Sequence, residues 1–280
     1  MLFWYEAGNS SYRAYIKQLA PRGNVLLLMI RGVFLSVLSQ IISLCFYPLY
    51  FRRRMWNPPP DPTSTLPTII LVHGLYHNPS GWTLYRRWLK RAGFTNIYAW
   101  DRLLWKHTFN DLLQGFDVWV REIARNLPDK PIVLIGHSLG GLIVRAYAQS
   151  PNAVENIAGV VTLGTPHQGT KIAVFGLGKA CMDIHHRAPL IKRIEEAAVP
   201  ENIPHLAVYS PIDNIVFPIE ALKVPQSGWT YRQTSPISHI YMLYHRPTAN
   251  CVLEFVRNVG GATENSQTCH TQTEPGALVG

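Results

Sequence analysis

The hydrophobic pattern divides the chain into regimes of different period. Residues 25–51 are apolar with Arg31 as their single charge, and residues 33–51 carry none over 19 positions. At about 1.5 Å rise per residue that run covers about 28 Å, the thickness of a bilayer's hydrocarbon. It is longer than a signal-peptide core and ends in Tyr50-Phe51-Arg52-Arg53-Arg54 rather than in small residues suited to cleavage. The pattern therefore predicts an uncleaved N-terminal membrane anchor over residues 1–56, held in the membrane by 25–51. A hydrophobic helix packed on the domain, or in a dimer interface, is the alternative reading of the same run. Beyond Asn57-Pro58-Pro59-Pro60-Asp61-Pro62 the period changes to short apolar runs separated by amphipathic stretches. The proline run itself reads as a stiff linker over 57–65, because each proline fixes its own φ and moves its predecessor out of the helical region.

Strands buried on both faces are predicted at Thr68–Val72, 96–100, 132–135, Ile157–Leu163 and His205–Tyr209, with another at Trp229–Gln233. Helices are predicted at 81–91, 111–126 and 139–149, and a final amphipathic one begins at His239, with His245 two turns into it. Strand and helix in alternation imply an α/β domain over 66–257, with a mostly parallel central sheet flanked by helices. Residues 168–204 break the rhythm and are rich in His, Lys and Arg, so an inserted cap or lid over the carboxyl edge of the sheet is expected there. The Gly- and Thr-rich segment 258–280 is expected to be a disordered tail.

Charge alters this picture only locally. The formal net charge is +9, of which the first 60 residues supply +6 and the remainder +3. The globular part is thus mildly basic and has no basic run interleaved with aromatics, which argues against a nucleic-acid partner. Arg52 to Arg54 on one side of the anchor and Arg13, Lys17 and Arg22 on the other leave its orientation, and the side of the membrane, undecided. The four cysteines, Cys45, Cys181, Cys251 and Cys269, are too few and too widely spaced for a disulfide framework, and a Cys181–Cys251 pair stays open. Cys181, His185 and His186 lack a fourth ligand at fixed spacing, so no metal site is expected.

The chemistry concentrates in Ile132-Val133-Leu134-Ile135-Gly136-His137-Ser138-Leu139-Gly140-Gly141. This is an apolar strand, a Gly-x-Ser-x-Gly pentapeptide and a helix-forming run. A sharp strand-to-helix turn admits only small residues two before and two after the serine, and it presents the serine Oγ at the helix N-terminus. In these residues the chain resembles the α/β-hydrolase superfamily, and Gly-His-Ser-Leu-Gly-Gly is most similar to its bacterial lipases and esterases. The resemblance makes Ser138 the nucleophile and covers about residues 66–257. It also places His73-Gly74-Leu75, at the end of the first strand, in the oxyanion segment, so that the Leu75 and Leu139 N–H groups are the implied donors.

The same resemblance orders the remaining partners as serine, acid, histidine. Asp213 follows the strand His205–Tyr209 on a loop and is the expected acid; Asp183 lies in the expected cap, and Asp117 and Asp129 precede the serine. His239 is the expected base, with His245 as its rival. Thr165 and His167, in Leu163-Gly164-Thr165-Pro166-His167, line the site floor or satisfy backbone groups, the second being favoured. Trp82, Tyr85, Trp88, Trp100 and Trp105 are core residues by default, with acyl-pocket walls or interface anchors as alternatives.

The function implied is a serine ester hydrolase of lipase or carboxylesterase type, membrane-anchored and needing no cofactor, with a lipid or other acyl ester as substrate. A thioesterase or phospholipid acyltransferase on the same triad is a second expectation, and a non-catalytic membrane-bound scaffold with a hydrolase fold a third.

Overall fold

In a computed structural model, residues 13–20 and 24–260 are described; the expectations for 1–12 and 261–280 lie outside them. After a short helix α1 (Arg13–Leu19), the apolar run forms one 22-residue helix, α2 (Val25–Phe46), which continues as a 3-10 turn over Tyr47–Phe51. Asn24 starts α2 by accepting a hydrogen bond from the Leu27 amide, 3.2 Å away, on its side chain.

The domain is a six-stranded, all-parallel sheet: β1 (Thr68–Val72), β2 (Ile97–Ala99), β3 (Ile132–His137), β4 (Ile157–Leu163), β5 (His205–Tyr209) and β6 (Trp229–Gln233), in the order β2-β1-β3-β4-β5-β6. Its helices are α3 (Thr83–Arg91), α4 (Phe109–Asn126), α5 (Leu139–Ala148), α6 (Lys179–Asp183), α7 (Pro189–Glu196) and α8 (Arg246–Val259). The strand period of two sorts side chains between two cores. Ile70, Val72 and Leu134 join the apolar stripes of α4, α5 and α7 on one face. Ile69, Leu71, Val133 and Ile135 join those of α3 and α8 on the other. This double cover is why β1 and β3 read as unbroken apolar runs.

Local signals set several boundaries. Thr108 and Asp111 form a reciprocal capping box at the start of α4, whose buried residues Phe109, Leu112, Phe116, Val120 and Ile123 follow helical spacing. The linker is tied down by Asn96, whose side chain accepts from the Asp61 amide and donates to the Asp61 carbonyl, both at 2.8 Å.

Two boundaries differ from the sequence expectation. His239 opens only a 3-10 turn over Ile240–Leu243, and the last α-helix begins at Arg246, with His245 at its N-cap. Pro247 accounts for this: lacking an N–H, it fits only the first helical turn, where that group would have no acceptor. That helix also runs to Val259, past the expected start of the tail.

Candidate active site

The chain brings five segments to the carboxyl edge of the sheet, each at the end of a strand. Between β3 and α5 the backbone reverses at Ser138, which has φ 55° and ψ −123°, a conformation that costs energy for any residue with a Cβ. Three glycines make the reversal possible. A Cβ on Gly136 would enter the Gly140 and Gly141 backbone, one on Gly140 would enter the Val72 and His73 carbonyls, and one on Gly141 would overlap the Thr165 hydroxyl. The Ser138 amide donates to the Leu163 carbonyl at 2.9 Å, tying the turn to β4. Leu139 is the first residue of α5, where the earliest N–H groups have no intrahelical acceptor.

The loops after β5 and β6 carry the other expected residues. His239 Nδ1 and Asp213 Oδ2 lie 2.7 Å apart in a fully buried pair. Asp213 Oδ1 accepts from the Ile215 and Val216 amides, both at 2.9 Å, so the carboxylate is held by three hydrogen bonds. The His239 amide donates to Asn214 Oδ1 at 3.0 Å, and the His239 carbonyl accepts from His137 Nε2 at 3.2 Å. With Nδ1 engaged by the carboxylate, Nε2 is the imidazole nitrogen left for chemistry.

Ser138, His239 and Leu75 line one cavity of about 350 Å³. Its apolar wall includes Ile172, Ala173, Ile184, Ile215 and Val216, so the 168–204 interval contributes lining in its first half. The second half behaves differently, because α7 packs Leu190, Ile191 and Ile194 into the main core as a sheet-covering helix. Gln40 of α2 also borders the cavity.

Burial favours the neutral imidazole at His73, His77 and His137. Burial pushes His137 well below the usual histidine range and His73 down as well, and it pushes His77 down to about 4. The His137 and His239 rings pack with centroids 4.7 Å apart, tilted by 51° to one another. A neutral His137 there leaves no fixed positive charge against an imidazolium at His239.

The rivals are occupied elsewhere. Asp183 accepts from the Phe109 amide at 2.8 Å, and His245 shares a 2.8 Å hydrogen bond with Thr248 at the start of α8. His167 is buried away from the cavity, 3.0 Å from Thr162 Oγ1 and 3.3 Å from Arg145 Nη1. Cys181, in the cavity wall, is 3.3 Å from the Tyr76 hydroxyl and is not joined to Cys251 by a disulfide. Among the described residues no group of three His, Cys, Asp or Glu could hold a metal ion. Trp82, Tyr85 and Trp100 are core residues, with Trp82 and Tyr85 edge to face at 5.2 Å; none of the five aromatics singled out in the sequence lines the cavity.

Two glycines crowd the site more closely than the sequence motifs required. Gly164 has φ +54°, and a Cβ there would stand 3.1 Å from His239 Nδ1 and 3.3 Å from Asp213 Oδ2. Gly74 is as close to the serine: a Cβ would come within 2.9 Å of Ser138 Cβ. Both glycines follow strand ends, and Gly74 belongs to the expected oxyanion segment.

The comparisons agree with this architecture. A model of the alpha/beta hydrolase family matches residues 69–250. Comparison with curated protein sequences gives no match. Among solved structures, a Bacillus licheniformis lipase, BlEst2 in mature form, superposes with a TM-score of 0.60 at 15% identity, covering 72% of this chain and 96% of that one. Est1E from Butyrivibrio proteoclasticus, bound to ferulic acid, gives 0.53 at 19% identity over 71% of this chain and 92% of that one. Phospholipase PlaB from Legionella pneumophila matches at 19% identity with a TM-score of 0.47, over 51% of this chain and only 39% of its own length. Likeness at such identities is likeness of fold, and the family match extends across the strands and loops that carry Ser138, Asp213 and His239: the chain belongs to the alpha/beta hydrolase family.

Proposed function

We propose that the protein is a serine hydrolase of carboxylic esters, acting on acyl or lipid esters at a membrane. The observation that carries this reading is the meeting of Ser138 and the buried His239–Asp213 pair at one apolar cavity.

In the reaction, Ser138 Oγ attacks the acyl carbonyl while His239 Nε2 takes the hydroxyl proton. Asp213 holds the Nδ1–H tautomer and stabilises the imidazolium. The Leu75 and Leu139 N–H groups receive the oxyanion of the tetrahedral intermediate. Its collapse breaks the ester C–O bond, and His239 returns the proton to the departing alcohol. Water then attacks the acyl-Ser138 carbonyl with His239 again as base, releasing the acid and restoring Ser138. Ser138, His239 and the attacking water supply every proton and electron pair, so no cofactor is called for. The apolar wall favours an acyl chain over a polar group, and residues 170–184 act as a cap over it.

Hydrolysis of a p-nitrophenyl ester series from acetyl to palmitoyl by detergent-solubilised protein, beside Ser138→Ala, tests this. Activity and fluorophosphonate labelling are expected in the parent and absent in the variant. Equal inertness of both proteins, with neither labelled, overturns the reading.

A further inference from the structure

Helix α2 is long and apolar enough to cross a bilayer, yet one side of it touches the domain near its start, middle and end. Near its start Leu28 is buried against Ile212; midway Leu35 meets Ile237 and Met242, and the Ser36 hydroxyl accepts from Asn214 Nδ2 at 2.9 Å. Near its end the Ser43 and Tyr244 hydroxyls share a 2.7 Å hydrogen bond, and Phe46 packs edge-on against the Tyr244 ring at 6.2 Å. Leu28 and Phe46 are about 27 Å apart along a helix, close to the full hydrocarbon thickness. A transverse α2 holding these contacts would carry the Asp213–Asn214 and His239 loops into the hydrocarbon, where irregular backbone exposed to lipid has no partners.

The opposite face of α2 is apolar and exposed: Leu26, Ile30, Val33, Val37, Ile41 and Leu44 follow helical spacing along one side. A second exposed apolar group belongs to the same cavity's surroundings. Gln40 of α2 and Phe175 both line the cavity; Phe175 and its neighbour Leu177 are 77% and 78% exposed, and Val174 and Met182 of the same 174–182 segment are largely exposed too. The bordering charges share one sign: residues 24–56 hold Arg31, Arg52, Arg53 and Arg54 and no acid, and residues 171–182 hold Lys171 and Lys179 and no acid.

We propose that α2 lies in the plane of the membrane, and that its exposed face and the 174–182 rim sink together into one leaflet of an anionic bilayer. The cavity, lined by a residue of each, then opens onto the leaflet. An amphipathic surface with cations beside its apolar face binds an anionic interface in this way. An ester with its acyl chain in the leaflet reaches Ser138 without crossing water. This last step rests on the hydrolase reading above; the docking geometry does not.

The test uses the full chain in a cysteine-free background, with single cysteines at Leu26, Val33, Ile41 and Leu44 carrying an environment-sensitive fluorophore. The protein is bound to phosphatidylcholine–phosphatidylglycerol vesicles containing nitroxide lipids at headgroup, shallow or deep positions. All four labels are expected at one shallow depth, quenched from the outer leaflet. A graded series, passing through mid-bilayer between Leu26 and Leu44, overturns the proposal in favour of a spanning helix. Absence of quenching together with a dimer in solution overturns it in favour of a second copy covering the face. The double substitution Leu177→Ser with Met182→Ser, outside the cavity lining, is expected to lower vesicle partitioning about tenfold while hydrolysis of a water-soluble short-chain ester is unchanged. Unchanged partitioning removes the rim from the docking surface. Shallow labels in a protein that no fluorophosphonate modifies leave the docking standing and defeat only the hydrolase reading.

Discussion

His137, the residue immediately before Ser138, donates its Nε2–H to the backbone carbonyl of His239 across 3.2 Å. The proposed nucleophile and base, 101 positions apart in the chain, are thereby joined through the nucleophile's own neighbour. The bond fixes the His137 tautomer, because a carbonyl can only accept. It also sets the height of the His239 loop over the elbow.

Replacing His137 by Phe keeps the ring volume and removes that donor. The His239 carbonyl loses its partner and the loop its tether, so kcat for a soluble ester is expected to fall about tenfold with little change in KM. A structural role alone would lower the amount of folded protein and leave kcat per labelled Ser138 unchanged; active-site titration with a fluorophosphonate separates the two.

Asp213→Asn keeps the shape of a carboxylate that accepts from two backbone amides and from His239. It presents an amide to Nδ1 and favours the wrong imidazole tautomer. On the triad reading kcat falls by about 10⁴ while fluorescence-monitored unfolding stays cooperative. A loss below about tenfold moves the acid elsewhere.

Gly164→Ala tests the contact that has no counterpart in the motif. The backbone there has φ +54°, and the added methyl stands 3.1 Å from His239 Nδ1. The left-handed conformation alone costs about 1–2 kcal/mol, seen as a lower unfolding midpoint. Displacement of the imidazole is expected to cost more than tenfold in kcat. Wild-type kcat would show that the pair tolerates the methyl.

Acid should destabilise the fold before carboxylates titrate. Burial holds His77 and His205 down at about 4, against 6.5 for a free imidazole. Each is neutral when folded and takes a proton when unfolded between those values, so the unfolded state binds more protons there. The stability these neutral rings contribute is complete above about pH 6.5 and is lost as pH falls toward 4. Each contributes a slope of up to about 1.4 kcal/mol per pH unit. Urea unfolding at pH 7, 6 and 5 should show this decline, and His205→Leu should flatten it by one proton's worth; a curve flat to pH 5 contradicts the assignment.

Much of the architecture was legible because its causes are local. The parallel sheet follows from apolar runs such as Thr68–Val72 that must be covered on both faces, and the elbow from glycines whose Cβ atoms would strike backbone. The start of the last helix was misplaced although Pro247 marked it, because amphipathic period outlasts a backbone break. What tertiary structure alone decided depends on distance across the chain. Composition made α2 long and apolar enough to cross a membrane, but only the partners of Leu28, Leu35, Ser36 and Ser43 show which face is covered. Period could not separate the two halves of 168–204, one lining a cavity and the other, α7, covering the sheet, since both bury apolar side chains. Nor could it place Gly164 against His239 and Asp213: a one-dimensional pattern records which residues avoid water, and proximity to a particular group is settled only when strands 40 residues apart close on one another.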